Sequence, residues 1–316
     1  LAGYPCRCPR FRWQMRLQVL DIGETSYRLL ASEQQGVILA VVSGAIYLIS
    51  DSDELLWLTT ADAPRHPRGI RISAPLPPLA VNTPFTGNEQ GLLIGPDTVL
   101  DCRAAAMWSP PGLSARDVLP FTAVSERVRV AFSITNLLPP PAGLGRLLPE
   151  IVGIAAKKSR PSLRRENLAP SAALALPIIQ NIAAASLAHR GEEVLSLAEA
   201  LVGLGEGLTP SGDDFVGGLL FCFHWISHLY GDFPAFDRAD VIRRFSGKTN
   251  PISAAVLNDL ANGRGVEPLH QWLSCILTGR PADQVQQHAA RLVRIGHSTG
   301  WDLLSGALTG LLWTFS

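Results

Sequence analysis

Apolar positions change their period once along this chain. Through the first hundred residues they come in short runs: "RLQVLDIG", "YRLLAS", "GVILAVVSGAIYLISD" and "LLWLTTA". Val, Ile, Leu and Tyr fill the runs, and Gly, Asp, Ser and Pro close them, which is the punctuation of strands. "RGIRISA", the prolines from Pro75 to Pro78 and "GLLIGPDTVLDCRAA" continue the pattern. Such spacing predicts an antiparallel barrel or sandwich over residues 16–110.

A boundary falls near "WSPPG", Trp108 to Gly112, and residues 111–316 read as mainly helical. "LGRLLPEIVGIAAKK" and "PSAALALPIIQNIAAASLAHRG" carry apolar residues at helical spacing, with Gly191 as the expected C-cap of the second. "EEVLSLAEALVGLG" follows, ended by Gly203 and Gly205. Further helices are expected at 251–262, 266–278, 282–295 and 300–315. "PPPAG", Pro139 to Gly143, reads as a rigid loop. The run Phe215 to Leu229 is too short to span a bilayer and reads as a buried core helix. The fold class is α+β: an N-terminal antiparallel β domain, then a mostly α-helical C-terminal domain.

Composition narrows the function. Lys+Arg 27 balances Asp+Glu 27, which argues against a nucleic-acid partner. With 47% hydrophobic and 17% charged residues the chain can bury a large core. Cys6, Cys8, Cys102, Cys222 and Cys275 are odd in number and mostly isolated, so no disulfide framework is suggested. Cys6 and Cys8 lack the second pair a zinc site needs. Residues 1–15 carry several arginines without a following apolar stretch, so disorder is expected there and no secretory signal. A cytoplasmic protein without a membrane segment is the expectation.

The candidate chemistry lies in "GLGEGLTPSGDDFVGGLL", Gly203 to Leu220. Glycines precede a hydroxyl, a proline and two aspartates, then an apolar helix. Thr209 suits an N-cap and Pro210 the first helical position. Gly205, Gly207 and Gly212 would let backbone amides approach a ligand, and a helix N-terminus favours an anion. Asp213 and Asp214 exceed what capping requires. They suit a general base or a cation, for which Mg²⁺ is the candidate.

A second stretch echoes the first: "GHSTGWDLLSGALTG", Gly296 to Gly310. Thr299-Gly300-x-Asp302-x-x-x-Gly306 matches Ser211-Gly212-x-Asp214-x-x-x-Gly218. If the two helix starts face each other, they clamp one doubly anionic ligand; loops more than about 15 Å apart would exclude that. Ser298, Thr299 and Gly300 would bind the anion, and His297 would donate to an oxyanion. "GHSTG" also fits a nucleophile elbow, but helical sequence precedes it and no His follows Ser298. His224 and His228 stand at i,i+4 without the glutamate of a metalloprotease, and read as a pair packed in or near the core. "GKTNPIS" lacks the spacing of a P-loop. Thr249 or Asn250 can cap a helix from Pro251, and Lys248, Thr249 and Ser253 are candidates to line an anionic pocket.

At these residues the chain resembles the AllH-like family. "GLTPSGDDFVGG" and "GHSTGWDLLSGALTG" look like its two signature segments, and "TNPISAAVLNDLANG" like a weaker third. "SGAIYLIS", "LTTADAPRHP" and "AAAMWSPP" are similar to longer members. The resemblance implies a subunit of an oxamate carbamoyltransferase in anaerobic allantoin and purine-nitrogen breakdown, without assigned catalytic residues. That enzyme converts oxalurate and phosphate to oxamate and carbamoyl phosphate. It implies FdrA-like and other operon-encoded partner subunits, and a homo-oligomer is compatible with so apolar a chain. The family's loop positions carry over onto Gly207, Leu208, Thr209, Pro210, Ser211, Asp213 and Asp214, and onto Gly296, His297, Ser298, Thr299, Gly300 and Asp302. At Gly212 a related member can carry another residue. On this reading Asp213, Asp214, His297 and Asp302 do chemistry and the hydroxyls and glycines bind the small anion. Two other readings compete: a non-catalytic scaffold or anion-binding subunit, and a stand-alone carboxylase or hydrolase, which lacks a complete triad or zinc set.

Overall fold

A computed structural model describes residues 15–156, 163, 165–231, 238–245 and 247–315. Of the segment 1–15, expected to be disordered, only Met15 is among them. The chain divides into two compact units, Leu1–Ser109 and Pro110–Ser316.

The described residues of the first unit form nine strands: β1 (Met15–Gly23), β2 (Gln34–Val42), β3 (Ala45–Ser50), β4 (Leu55–Thr60), β5 (Gly69–Ile72), β6 (Pro84–Asn88), β7 (Gly91–Ile94), β8 (Thr98–Asp101) and β9 (Ala106–Trp108). Eight of them close a barrel in the order β5-β4-β3-β2-β6-β7-β8-β1, with β1 returning to β5, and β9 adds beside β1. Of the barrel and the sandwich, the barrel forms. Most neighbours are antiparallel, but β1 runs parallel to β8 and β9, and β4 parallel to β5. A bulge between Val19 and Asp21 bends β1. Its first half thus serves β8 and its second half β9.

Alternation explains the barrel core. Ile46 and Leu48, Leu56 and Leu58, Ile70 and Ile72, and Leu92 and Ile94 point inward in successive pairs. The run "YRLLAS", expected as a strand, instead forms most of a short helix, α1 (Glu24–Leu30), which buries Leu30, and the Ser26 hydroxyl donates to the Arg68 carbonyl at 2.7 Å. Asp21, buried where β1 bends, accepts from Arg71 (Nη2 at 2.6 Å) and Arg65 (3.2 Å).

The second unit contains α2 (Phe121–Ile134), α3 (Leu148–Ala155), α4 (Pro170–Leu187), α5 (Gly191–Glu199), α6 (Ser211–Tyr230), α7 (Arg238–Phe245), α8 (Pro251–Ala261), α9 (Glu267–Leu277), α10 (Ala282–Leu292) and α11 (Thr299–Leu311). The four late helices lie where periodicity put them, while α2 and α7 escaped it. Gly191 opens α5 rather than closing α4; the left-handed position there belongs to His189, at φ 56°. The helix after it ends at Glu199, before the glycines.

At the centre α6 and α11 pack along each other. Every residue from Gly212 to Phe223 and from Gly300 to Leu311 is buried. Neither helix is amphipathic, because each is covered on all sides by neighbours. Close packing needs small residues at the crossing. A Cβ on Gly218 would lie 2.1 Å from the Leu303 carbonyl oxygen, and one on Gly306 would lie 1.8 Å from that of Phe215. Leu303 follows Asp302 as Phe215 follows Asp214, so the sequence echo is a reciprocal contact in space.

Among the described residues one helix, α4, is long and apolar enough to cross a membrane, with mean hydropathy 1.3. The apolar run weighed from the sequence was a different one, now α6. Ala172, Ala175, Leu176, Ile179, Ile182 and Ala183 of α4 are buried, and it packs on α3, α5 and α11. Cys102, Cys222 and Cys275 are free thiols in the interior.

Candidate active site

The two helix starts face each other. The hydroxyls of Thr209 and Thr299 are 3.2 Å apart, and those of Ser211 and Ser298 are 3.3 Å apart. Each pair takes one residue from each motif, so the separation that would have excluded a shared site does not occur. Beneath these half-buried hydroxyls lie two carboxylates, Asp214 at 2% exposure and Asp302 at 0%. Thr209 and Thr299 serve Asp214, while Ser211 and Ser298 serve Asp302.

The electrostatics follow from depth. Burial pushes Asp214 well above the usual carboxylate range, and the nearby Asp302 adds to the shift. Burial likewise pushes Asp302 up to about 6, held back by the two serine hydroxyls and the amides of Leu144 and Gly145. Leu144 N donates to Asp302 Oδ1 at 2.6 Å. One oxygen of each carboxylate, Asp214 Oδ2 and Asp302 Oδ2, is buried without a hydrogen-bond partner among the described residues.

Asp213 has a different role. Its Oδ1 accepts from Gly203 N at 2.5 Å, and its Oδ2 from Ser253 at 2.6 Å and from the Thr249 hydroxyl. One carboxylate thereby ties the glycine loop to the start of α8. Asn250 reinforces the tie: its Oδ1 caps α8 through Ile252 N and Ser253 N, and its Nδ2 donates to the Leu208 carbonyl at 2.9 Å. Asn250 is therefore the cap, and Thr249 and Ser253 turn to Asp213. Lys248, the basic candidate for an anionic pocket, pairs with Glu199 at 2.6 Å.

The helix starts also differ from expectation in their backbone. Pro210 stands at the N-cap with ψ 142°, so α6 begins at Ser211, and Thr209 meets Thr299 instead of capping. Gly212 N donates to the Leu204 carbonyl, eight residues back, and Gly300 N to that of Ile295, five back. These two amides are spent inside the protein. Both glycines exist for close packing: a Cβ would lie 2.0 Å from the Leu201 carbonyl oxygen at Gly212 and 1.9 Å from that of Leu292 at Gly300. Gly205 and Gly207 keep left-handed backbone, at φ 123° and 93°, in the loop above. His297 is exposed, and its side chain makes no hydrogen bond among the described residues.

The segment Gly143 to Gly145 is the part of the site that sequence reasoning missed. It reads Gly-Leu-Gly, as Gly203 to Gly205 does, and each stretch donates an amide to an aspartate. A Cβ on Gly143 would lie 2.3 Å from Asp302 Oδ1. A cavity of about 1070 Å³ lies in the same unit, walled by Arg129, Pro139, Pro141, Glu150, Gln180 and Trp301 among others; no predicted site residue lines it. His224 and His228 are stacked at 6.2 Å, with His228 exposed, so the pair lies at the edge of the core rather than in it.

With this geometry in place, one comparison bears on the site. Residues 201–311 match the family model described as oxamate carbamoyltransferase subunit AllH. The AllH match begins just before the glycine loop and ends with α11. It takes in the four hydroxyls, all three aspartates and α8, and it leaves out the barrel and the Gly143–Gly145 amides. No solved structure matches the chain.

Proposed function

We propose that this chain is a subunit of an oxamate carbamoyltransferase, acting with FdrA-like and other operon-encoded subunits in anaerobic allantoin and purine-nitrogen catabolism. The observation that carries the reading is the coincidence of the AllH match with two facing helix starts. A cytoplasmic location and self-association go with it.

In the reaction a phosphate oxygen attacks the carbamoyl carbon of oxalurate. The carbon–nitrogen bond to the oxamoyl part then breaks, and its electron pair stays on nitrogen. That nitrogen takes a proton, and oxamate and carbamoyl phosphate leave. Negative charge builds on the tetrahedral centre, where hydroxyl and amide donors stabilise it most. Thr209, Ser211, Ser298 and Thr299 suit that task at the mouth of the site. Exposed His297 can supply the proton. Gly205 and Gly207 shape the loop that the substrate meets. Asp213 positions this loop rather than reacting, because its oxygens are engaged. Asp214 and Asp302 form the floor.

The test is reconstitution with the neighbouring subunits and an assay of carbamoyl phosphate made from oxalurate and phosphate. In that complex His297→Gln should lose about a hundredfold or more in kcat, the usual worth of a proton donor. Full turnover in that variant would contradict the assignment of His297. One observation favours the second reading, a non-catalytic anion-binding or scaffold subunit: Gly212 and Gly300 spend their amides internally. On that reading Ser298→Ala with Thr299→Val also leaves turnover intact in the assembled complex.

A further inference from the structure

Two carboxylate oxygens in the core of the helical unit have nothing to bind. Asp214 Oδ2 and Asp302 Oδ2 are shielded from solvent and accept no hydrogen bond from the described residues. Among the described residues Asp302 Oδ1 accepts from Leu144 N, Asp302 stands near Asp214, and neither carboxylate takes part in an ion pair. Held ionised without a partner, such a pair would cost several kcal/mol, so the two carboxylates either keep their protons or exchange them for a positive occupant.

The surroundings say which kind. Four side-chain hydroxyls from the two motifs adjoin the pair. A hydroxyl that donates to a carboxylate keeps its lone pairs for another contact. The donor set is all oxygen, without sulfur or imidazole, which selects a hard cation. Two carboxylates match a charge of two. The hydroxyls are only half-buried, so the site is open toward solvent on their side.

We propose that Asp214 and Asp302, with the hydroxyls of Thr209, Ser211, Ser298 and Thr299, bind one divalent cation of the Mg²⁺ or Mn²⁺ type. The reciprocal packing of α6 and α11 brings one carboxylate from each motif to the ion. The remaining coordination positions fall to water or to the oxygen of a bound anion, as is usual for Mg²⁺. With the ion in place the two carboxylates can ionise and an anion can still approach them. The inference stands whether or not the chain takes part in carbamoyl transfer.

The test uses the full chain, Mn²⁺ as probe, titration calorimetry and the electron paramagnetic resonance of free Mn²⁺. One Mn²⁺ should bind per chain, displaced by Mg²⁺. Binding should release protons, read from its enthalpy in buffers of different ionisation heat. Asp214→Asn and Asp302→Asn should each weaken binding at least a hundredfold, more than the loss typical of an outer-sphere partner. Glu206→Gln, at an exposed carboxylate of the same loop, should bind as before. If either Asn variant fails to fold, Ser211→Ala with Ser298→Ala keeps both carboxylates and should bind about tenfold more weakly. No Mn²⁺ bound at about 1 mM, the weak end of oxygen sites, would overturn the proposal. So would unchanged affinity in folded Asp302→Asn or in the double serine variant.

Discussion

The starts of α6 and α11 carry the same first turn in two different settings. Both present a hydroxyl, a glycine pressed against a carbonyl, and a buried aspartate four residues into the motif. The support differs. The α6 start follows a loop longer by three residues, and Asp213 and Asn250 lash that loop to α8. At α11 the position matching Asp213 is Trp301, the loop is short, and the stay comes from outside the motif through Leu144 N. What the two halves share is packing and the carboxylate pair. What they do not share, the Gly205–Gly207 loop on one side and His297 on the other, is where a substrate would find asymmetry.

The shared part should be the most fragile. Gly306→Ala and Gly218→Ala each drive a methyl into a backbone carbonyl of the partner helix, and each should cost upwards of about 3 kcal/mol in denaturant unfolding. If one tolerated the change and the other did not, the reciprocity of the two helices would fail.

Next comes the carboxylate pair, read through pH without divalent cations. Asp302 is pushed up to about 6 from an ordinary 3.8, so the folded state holds its proton more tightly than the unfolded chain. Stability from this group is present below about pH 4 and is lost as pH rises through about 6, a fall of roughly 3 kcal/mol at most. Asp302→Asn should flatten that slope in a series of thermal unfolding curves. An unchanged slope would remove Asp302 from the account.

The supports come third. Asp213→Asn replaces a carboxylate that accepts three hydrogen bonds with an amide that cannot accept them all, and should cost about 2 kcal/mol. The matching position has no such duty, so Trp301→Phe should leave the loop geometry intact. Smallest is Gly207→Ala. Nothing stands within 4 Å of the added methyl, so the left-handed φ of 93° sets the cost at about 1 kcal/mol.

Much of this was legible in residue order. Short punctuated runs of Val, Ile and Leu announced a barrel or a sandwich without deciding between them, and the spacing of hydroxyl, glycine, aspartate and glycine announced two kindred helix starts. The double service of β1 was not legible, because a bulge between Val19 and Asp21 bends the strand so that its two halves meet different parallel partners. Asp213 and Asp214 look alike in sequence, yet adjacent helical positions point in directions about 100° apart, so one meets α8 and the other meets α11. The duty of Gly212 and Gly300 was misjudged for a related reason. A glycine before a helix suits a ligand or a neighbouring backbone equally well, and only packing tells which. The amide of Leu144, 158 residues from Asp302, left no local trace.

The central claim is that Asp214 and Asp302 form one site across the two motifs. A double-mutant cycle of Asp214→Asn and Asp302→Asn, measured by unfolding at pH 7 without divalent cations, tests it directly. Either substitution alone relieves the crowding of two buried acids, and the second cannot relieve it again. The account predicts a coupling of about 1 kcal/mol or more, whereas effects that add within about 0.5 kcal/mol would mean two separate carboxylates and no shared site.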